Sequence, residues 1–218
     1  MLYKTTSRLF KGTYQYKIVL VCAGSSLFRS NDMASVLEEL NKITFENIET
    51  TNARSPYYAA RKPWISTRED LDYAFKLQKA VSKMQDIDIR VESPWISIYT
   101  NVKANIDRLI KLDNTKVKYI SLPPANVPLD KETIIMPKMS YDFRVTVGKT
   151  THNHISFVDW AESNKKLKLT KSCKKDLSKD KSYGGTHFYV TGDNNLLLAK
   201  MHLGGCISKV QRIIKIKA

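Results

Sequence analysis

The chain has 218 residues, of which 42% are hydrophobic and 26% charged, and it carries a formal net charge of +15 at pH 7. This composition is typical of a globular protein and excludes global disorder. The longest apolar run, residues 18–23, is far shorter than the roughly 20 residues of a membrane helix, and the basic N-terminus lacks the apolar stretch of a secretory signal. We therefore expect a cytoplasmic protein without a membrane partner.

The first half of the chain alternates between strand-like and helix-like apolar patterns. Tyr16–Cys22 is almost entirely apolar, which is typical of a central strand. Helices are predicted from about Asp32 and after Thr67, whose hydroxyl can cap the second of them. A third helix, capped by Asn101, is predicted further along. The remaining predicted strands of this half are Ile87–Glu92, Trp95–Thr100 and Val117–Leu122.

A proline-rich stretch separates the two halves. Pro123, Pro124 and Pro128 fall within six residues. Prolines break regular structure and favour an extended connector. We therefore predict two domains, 1–128 and 129–218.

The second half repeats the order of the first. Tyr141–Val147 has the pattern of a strand, and Ile155–Asn164 has that of a helix. A short helix is predicted from Asp193 to a pair of glycines, which are a common signal for a helix end. The remaining predicted strands are Leu167–Thr170, Tyr183–Thr191 and Ile207–Lys217.

In each half the predicted order is strand, helix, strand, strand, helix, strand, with the first helix of the first half interrupted. This is the split βαβ, or ferredoxin-like, pattern. The predicted fold class is therefore α+β, with two tandem ferredoxin-like (βαββαβ) domains. The N-terminal domain, 1–128, carries an inserted basic and aromatic loop, and the C-terminal domain, 129–218, is strongly basic.

Positive charge is concentrated in the second half. Residues 131–218 contain 17 basic and 7 acidic side chains, whereas residues 1–130 contain 19 and 14. A basic surface attracts polyanions, because phosphates that it neutralises release their counterions. Nucleic acid is therefore the predicted partner. The alternative is a lysine-rich surface that serves solubility.

The first predicted binding segment is residues 53–64, in which cations and aromatic rings interleave. Arginine side chains grip phosphates through several planar donors, and tyrosine and tryptophan rings offer faces on which unpaired bases stack. The alternative is that the rings pack into the core while the cations are solvated. The predicted binding residues are Arg54, Tyr57, Tyr58, Arg61, Lys62 and Trp64.

The second predicted binding segment is a lysine run in the second half. The pattern places it largely on the loop between the second and third strands of that half, where a basic loop can embrace a phosphate backbone. Asp176 and Asp180 dilute its charge only in part, and an ordinary exposed loop is the alternative. The predicted binding residues are Lys171, Lys174, Lys175, Lys179 and Lys181.

Two resemblances to known families lie in the second half. Residues 181–188 resemble the third-strand motif of the RNA-recognition motif, and the agreeing residues are Lys181, Tyr183, Gly184 and Phe188. That motif's second glycine is missing and Gly185 replaces its stacking aromatic, so no base-stacking role is carried over. Tandem ferredoxin-like domains with a glycine-rich turn before the last strand also resemble the repeat-processing endoribonucleases of CRISPR systems, whose glycine-rich loop is longer than residues 203–206. This second likeness implies an architecture and leaves the function open.

The histidines are the candidates for chemistry. His152 and His154 resemble the paired metal ligands of HUH-type nicking enzymes, but the polar Asn153 stands between them and the pattern begins a helix there. A capping turn is the simpler interpretation. A metal-independent ribonuclease with a histidine as general base is a further alternative, and His187 is another candidate for that role.

The cysteines point to no cofactor. Cys22, Cys173 and Cys206 are an odd number and include no C-x-x-C pair, which argues against a disulfide framework and a cysteine-based zinc site. We interpret them as reduced, mostly buried thiols. We predict no metal site, no cofactor and no catalytic residue.

Three functions stay open at the level of the sequence. The charge and the segment at residues 53–64 favour a non-enzymatic nucleic-acid-binding protein that prefers single-stranded DNA or RNA, such as an accessory factor of a phage or mobile element. The first alternative is a small RNA- or DNA-processing nuclease that uses histidine acid–base chemistry. The second is a structural or assembly component of a nucleoprotein particle, with a protein partner.

Overall fold

A computed structural model describes residues 2–43, 65, 67–125, 127 and 129–215. The structure is mixed α+β and contains two five-stranded sheets. The chain divides into two units, Met1–Pro128 and Leu129–Ala218, with one sheet in each. Within the described ranges, no helix has the length and apolar character needed to cross a membrane.

The strands of the first unit are β1 (Tyr3–Thr5), β2 (Tyr16–Val21), β3 (Ile87–Glu92), β4 (Trp95–Thr100) and β5 (Val117–Leu122). Their spatial order is β1-β5-β2-β4-β3. The pairings β5–β2, β2–β4 and β4–β3 are antiparallel, and β1 adds an edge strand parallel to β5. The predicted bounds of β3, β4 and β5 are confirmed, and β2 ends one residue before its predicted end.

The helices of the first unit pack on one face of this sheet. They are α1 (Met33–Asn41), α2 (Arg68–Val81) and α3 (Lys103–Leu112), with short 3-10 turns at Ser25–Ser30 and Asn114–Lys116. Leu40, Leu77 and Leu109 are fully buried, in one core with alternate residues of the central strands such as Ile18 and Ile98. Burial of these alternate residues accounts for the apolar side chains at the core-facing positions of the central strands.

Of the two caps predicted in this unit, Thr67 is right and Asn101 is wrong, and Asp32 is a third cap that was not predicted. The Asp32 carboxylate accepts a hydrogen bond from Ala34 N, and the Thr67 hydroxyl accepts one from Asp70 N at 3.1 Å. Asn101 does not cap α3, since its Oδ1 accepts from Gln15 N instead and the residue before the helix is Val102. The Asn101 side chain thus joins the residue before β2 to the end of β4.

The strands of the second unit are β6 (Thr133–Ile135), β7 (Phe143–Val147), β8 (Leu167–Leu169), β9 (His187–Val190) and β10 (Ile207–Ile214). Their spatial order is β6-β10-β7-β9-β8. As in the first unit, the central pairings are antiparallel, and the first strand is an added edge parallel to the last. The two units therefore share one strand order, including the added edge.

The helices of the second unit are α4 (Ile155–Ser163), α5 (Lys171–Leu177) and α6 (Asp193–Leu203), followed by a 3-10 turn at Gly204–Cys206. Phe157, Leu177 and Ala199 from these helices are fully buried, in one core with Val145 and Phe188 of the sheet. The predicted glycine stop is confirmed, because Gly204 ends α6 with a positive φ of 53°.

In this unit β7 begins two residues after its predicted start and β8 ends one residue before its predicted end. Two further predictions need correction. The strand predicted from Tyr183 begins only at His187, because residues 183–186 are an irregular segment that is hydrogen-bonded to the end of β7: Gly185 N donates to Val147 O and Val147 N to Thr186 O. The lysine run predicted as a loop contains helix α5. Its N-cap is Thr170, whose hydroxyl accepts from Cys173 N, and its apolar side buries Cys173 and Leu177.

Candidate nucleic-acid interface

The first predicted binding segment cannot be placed. Arg54, Tyr57, Tyr58, Arg61, Lys62 and Trp64 all lie outside the described residues. Their role stays a prediction.

The predicted lysines of the second unit lie on α5 and the turn after it. Lys174 is ion-paired with Glu162 and Lys179 with Asp176, so part of their charge is neutralised. Within the described ranges, Lys171, Lys175 and Lys181 form no ion pair, and all three are exposed. The structure therefore leaves these three as the available cations of the predicted set.

Each sheet also has a face on which no described helix packs. Alternate strand residues point to opposite faces, so the residues between the core positions define this second face. In the first unit we call it the first-sheet face and define it by Lys4, Lys17, Trp95 and Tyr119, together with Lys118, which lies at an irregularity in the β2–β5 pairing and reaches the ring of Trp95. In the second unit we call it the second-sheet face and define it by Arg144, Thr146, Lys168, His187, Tyr189 and Lys209.

Lysines lie against aromatic rings on the first-sheet face. Lys4 Nζ is 4.2 Å from the ring centroid of Tyr119, and Lys17 Nζ is 5.4 Å from the same centroid. Lys118 Nζ is 3.1 Å from the centroid of Trp95, a ring that is 38% exposed. Cations within about 6 Å of a ring face are attracted by its quadrupole. The face thus combines positive charge with accessible aromatic surface.

The carboxylates on the first-sheet face are already paired. Lys11 Nζ lies 2.7 Å from Asp88 Oδ1, and Arg90 Nη2 lies 2.6 Å from Glu92 Oε1. In the part of the chain that the structure describes, Lys4, Lys17 and Lys118 have no carboxylate partner. Their charge is therefore available to an anionic ligand.

One end of the first-sheet face is covered. The backbones of Phe10 and Tyr14 form an isolated β-bridge, and their rings lie 5.8 and 6.3 Å from the ring of Tyr99, which is only 5% exposed. Tyr99 therefore cannot offer a stacking surface, whereas Trp95 can.

The second-sheet face contains a hydrogen-bonded chain of three side chains. Arg144 Nη2 lies 3.3 Å from His187 Nδ1, and His187 Nε2 lies 3.1 Å from the hydroxyl of Tyr189. A guanidinium group can only donate, so Nδ1 accepts and the proton of the neutral ring is on Nε2, which donates to Tyr189. Burial, and then the charge of Arg144, lowers the pKa of His187. Through these two hydrogen bonds, both ring nitrogens of His187 are engaged.

The other histidines predicted as candidates lie at the start of α4. The rings of His152 and His154 are 4.6 Å apart, and burial, followed by the charge of His152, lowers the pKa of His154. His154 precedes the helix but its side chain makes no capping hydrogen bond, although its backbone N–H donates to Leu177 O. No group of three or more His, Cys, Asp or Glu side chains among the described residues is placed to hold a metal ion.

The cysteines are free thiols. Cys22 and Cys173 are buried, and burial raises the pKa of each to about 11. Thiols with such a high pKa are poor nucleophiles at neutral pH. Cys206 is partly exposed.

The sheet faces were missed in the sequence, although a signal for them is present. Lys17, Trp95 and Tyr119 each come directly before a buried isoleucine in their strand. Read singly, each is an ordinary polar or aromatic residue on an exposed face. Only the pairing of the strands brings them together.

Comparisons of the chain with protein-family models, with curated proteins and with solved structures find no match.

Proposed function

We propose that the protein binds nucleic acid, single-stranded DNA or RNA in preference to duplex, and that it does so without catalysis. Binding of single strands requires cations that track phosphates and rings on which bases stack. The observation that carries the proposal is the first-sheet face, where Lys4, Lys17 and Lys118 have no described carboxylate partner and lie beside Trp95 and Tyr119.

The second unit adds to this surface. Its excess of basic residues includes Lys171, Lys175 and Lys181, which are exposed and, among the described residues, free of ion pairs. We include in the interface the predicted lysines 174 and 179, whose surface ion pairs are worth little and can open. The basic and aromatic segment at residues 54–64 is proposed as a further contact, on its sequence alone.

We further propose that both units are ferredoxin-like domains. The chain order of their central strands and the spatial order β5-β2-β4-β3, repeated as β10-β7-β9-β8, support this. In such a domain the helices cover one face of the sheet, which leaves the other face for a ligand. The function is argued from the residues on that face, since one fold serves many functions.

The test measures binding of a labelled single-stranded oligonucleotide by fluorescence anisotropy at several salt concentrations. The variant replaces Lys4, Lys17 and Lys118 by glutamine. We expect a weaker complex, and a slope of log K against log salt that is smaller by about 2, since each phosphate contact to a single strand contributes about 0.7.

The matched control replaces three exposed lysines on the helical side of the same unit by glutamine: Lys79, Lys83 and Lys111. It has the same net charge as the first variant, so a specific interface predicts that it binds closer to the wild type. Wild-type protein that fails to bind at low salt, or whose affinity does not fall as salt rises, would refute the proposal.

The same complexes run on a denaturing gel distinguish binding from cleavage. We expect intact oligonucleotide, because both ring nitrogens of His187 are engaged and His154 is buried. Cleavage that is lost in histidine variants would instead favour the nuclease.

One observation favours a second function, an assembly component. Leu197, Leu198 and Met201 of α6 are 58%, 44% and 71% exposed and fall at adjacent positions of the helix surface. Exposed apolar clusters mark contact surfaces in many proteins. Light scattering across a range of protein concentrations tests this, and a chain that stays monomeric throughout would count against self-assembly through this helix.

A further inference from the structure

The guanidinium group of Arg144, on the second-sheet face, has a buried donor without a hydrogen-bond acceptor among the described residues. Its Nη2 donates to His187 Nδ1, but its Nε is buried and has no hydrogen-bond partner among the described residues. A buried donor without an acceptor lowers stability, and more so when the group is charged. Such a group is expected where an acceptor arrives with a ligand.

No described carboxylate neutralises Arg144. Asp142, two residues earlier on the same side of the chain, is bound to Lys215 Nζ at 2.9 Å. The residues paired with Arg144 across the sheet are Tyr189 and Gln211, which carry no charge at neutral pH. The charge of the guanidinium is therefore uncompensated within the described part of the second unit.

The face around Arg144 contains the buried apolar cluster of Ile134, Tyr189 and Ile213, and beyond this cluster it carries two cations. Lys168 pairs with Tyr189, and Lys209 pairs with Thr146, so one lysine lies on each side of the arginine on the same face. Because the hydroxyl of Tyr189 accepts from His187, its own proton is free to be donated. These groups suit a ligand that is anionic and accepts several hydrogen bonds.

We infer that Arg144 is a phosphate-binding residue, held in place by His187, with Lys168 and Lys209 as flanking cations. A planar guanidinium presents several donors to phosphate oxygens, a geometry that lysine cannot reproduce. The assignment of the phosphate to the backbone of a nucleic-acid strand rests on the proposed function. The presence of a phosphate site does not.

Two arms of one experiment separate the two statements. In the first, thermal unfolding of the full chain is followed in inorganic phosphate and in chloride at equal ionic strength. In the second, binding of a single-stranded oligonucleotide is followed by anisotropy. The variants are Arg144→Met, which keeps an apolar stem, and Arg144→Lys, which keeps the charge.

The matched control is Arg212→Met. Arg212 is an exposed arginine on β10 that pairs with Phe143, a core-facing residue, and so points to the helical face of the same sheet. Its loss removes the same charge from the same unit. An effect limited to Arg144 is therefore not an effect of net charge.

We expect phosphate to raise the melting temperature of the wild type and of Arg212→Met but not of either Arg144 variant. We expect both Arg144 variants to bind the oligonucleotide at least about tenfold more weakly, the scale of a hydrogen bond to a charged group. Arg144→Met should be no less stable than the wild type in chloride, because it removes the unpartnered buried donor.

The outcomes are distinguishable. If phosphate acts through Arg144 but no oligonucleotide binds, the phosphate site stands and the proposed function fails. If the oligonucleotide binds and the Arg144 variants behave like Arg212→Met in both arms, this inference fails and the proposed function stands. Loss of stability in both Arg144 variants without a change in either ligand would show a structural role and overturn the inference.

Discussion

At the scale of single residues, two adjacent glycines in the second unit have the same backbone conformation and different surroundings. Gly184 has a φ of +74° and Gly185 one of +85°, both in the left-handed region. A Cβ on Gly184 would lie 2.2 Å from the carbonyl oxygen of Gly148, whereas a Cβ on Gly185 would have no heavy atom within 4 Å. The pair thus separates backbone strain from steric overlap.

We expect Gly185→Ala to lower the free energy of unfolding by about 1 to 2 kcal/mol, the cost of a left-handed conformation for a residue with a Cβ. Gly184→Ala carries this cost and the overlap with Gly148, so it should be clearly more destabilising. Urea unfolding of both variants measures the difference. Equal losses would mean that Gly184 is not packed against Gly148 in solution.

At the scale of elements, α2 begins at a hydroxyl cap. The Thr67 hydroxyl accepts a hydrogen bond from Asp70 N, which satisfies one of the helix's unpaired N–H groups. The helix it begins carries Leu77 and Val81 into the core of the first unit. A weaker start to the helix should therefore be measurable in the stability of that unit.

We expect Thr67→Ala to lower the free energy of unfolding by about 1 kcal/mol, the usual cost of removing a cap. Thr67→Ser keeps the hydroxyl and should stay within a few tenths of a kcal/mol of the wild type. Urea unfolding monitored by circular dichroism compares the three proteins. A serine variant as unstable as the alanine variant would show that the threonine methyl group, and not the cap, is what matters.

The elements that the sequence predicts well are those with a local signal. The bounds of β3 and β4 follow from alternating apolar residues on either side of Ser93-Pro94. Strands β1 and β6 were missed because each has only three residues and exists only through parallel pairing with a distant strand. Helix α5 was missed because its apolar side is limited to Cys173 and Leu177 among lysines.

The candidate interface follows the same division. Lysine-rich segments are visible in the sequence, but which lysines are neutralised depends on acids elsewhere in the fold, such as Glu162 beside Lys174. The chain from Arg144 through His187 to Tyr189 joins two strands that are more than forty residues apart in sequence. No local pattern could have predicted it.

At the scale of the whole molecule, the two units repeat one strand order. Each unit leaves one sheet face without a described helix, and both faces carry cations that no described carboxylate neutralises. On the proposed function, each unit therefore offers its own face to nucleic acid.

The pH dependence of stability is the last consequence, and it arises in the second unit. His154 and His187 both have a pKa lowered below the ordinary 6.5, mainly by burial, with further lowering by His152 and Arg144 respectively. Below pH 6.5 the unfolded chain therefore takes up protons before the folded one. Stability falls with decreasing pH wherever the unfolded state binds more protons.

We expect the free energy of unfolding to decrease between pH 6.5 and about 5, a range above that in which the carboxyl groups with lowered pKa, such as Asp142, lose their charge. Replacing His154 by leucine and His187 by glutamine should flatten this dependence, since neither new side chain titrates. His202→Gln, which removes an exposed histidine stacked on Trp160, is the control for the loss of a histidine from this unit. Urea unfolding across this pH range measures the stability of each protein. A double variant as sensitive to pH as the wild type would show that other groups cause the dependence.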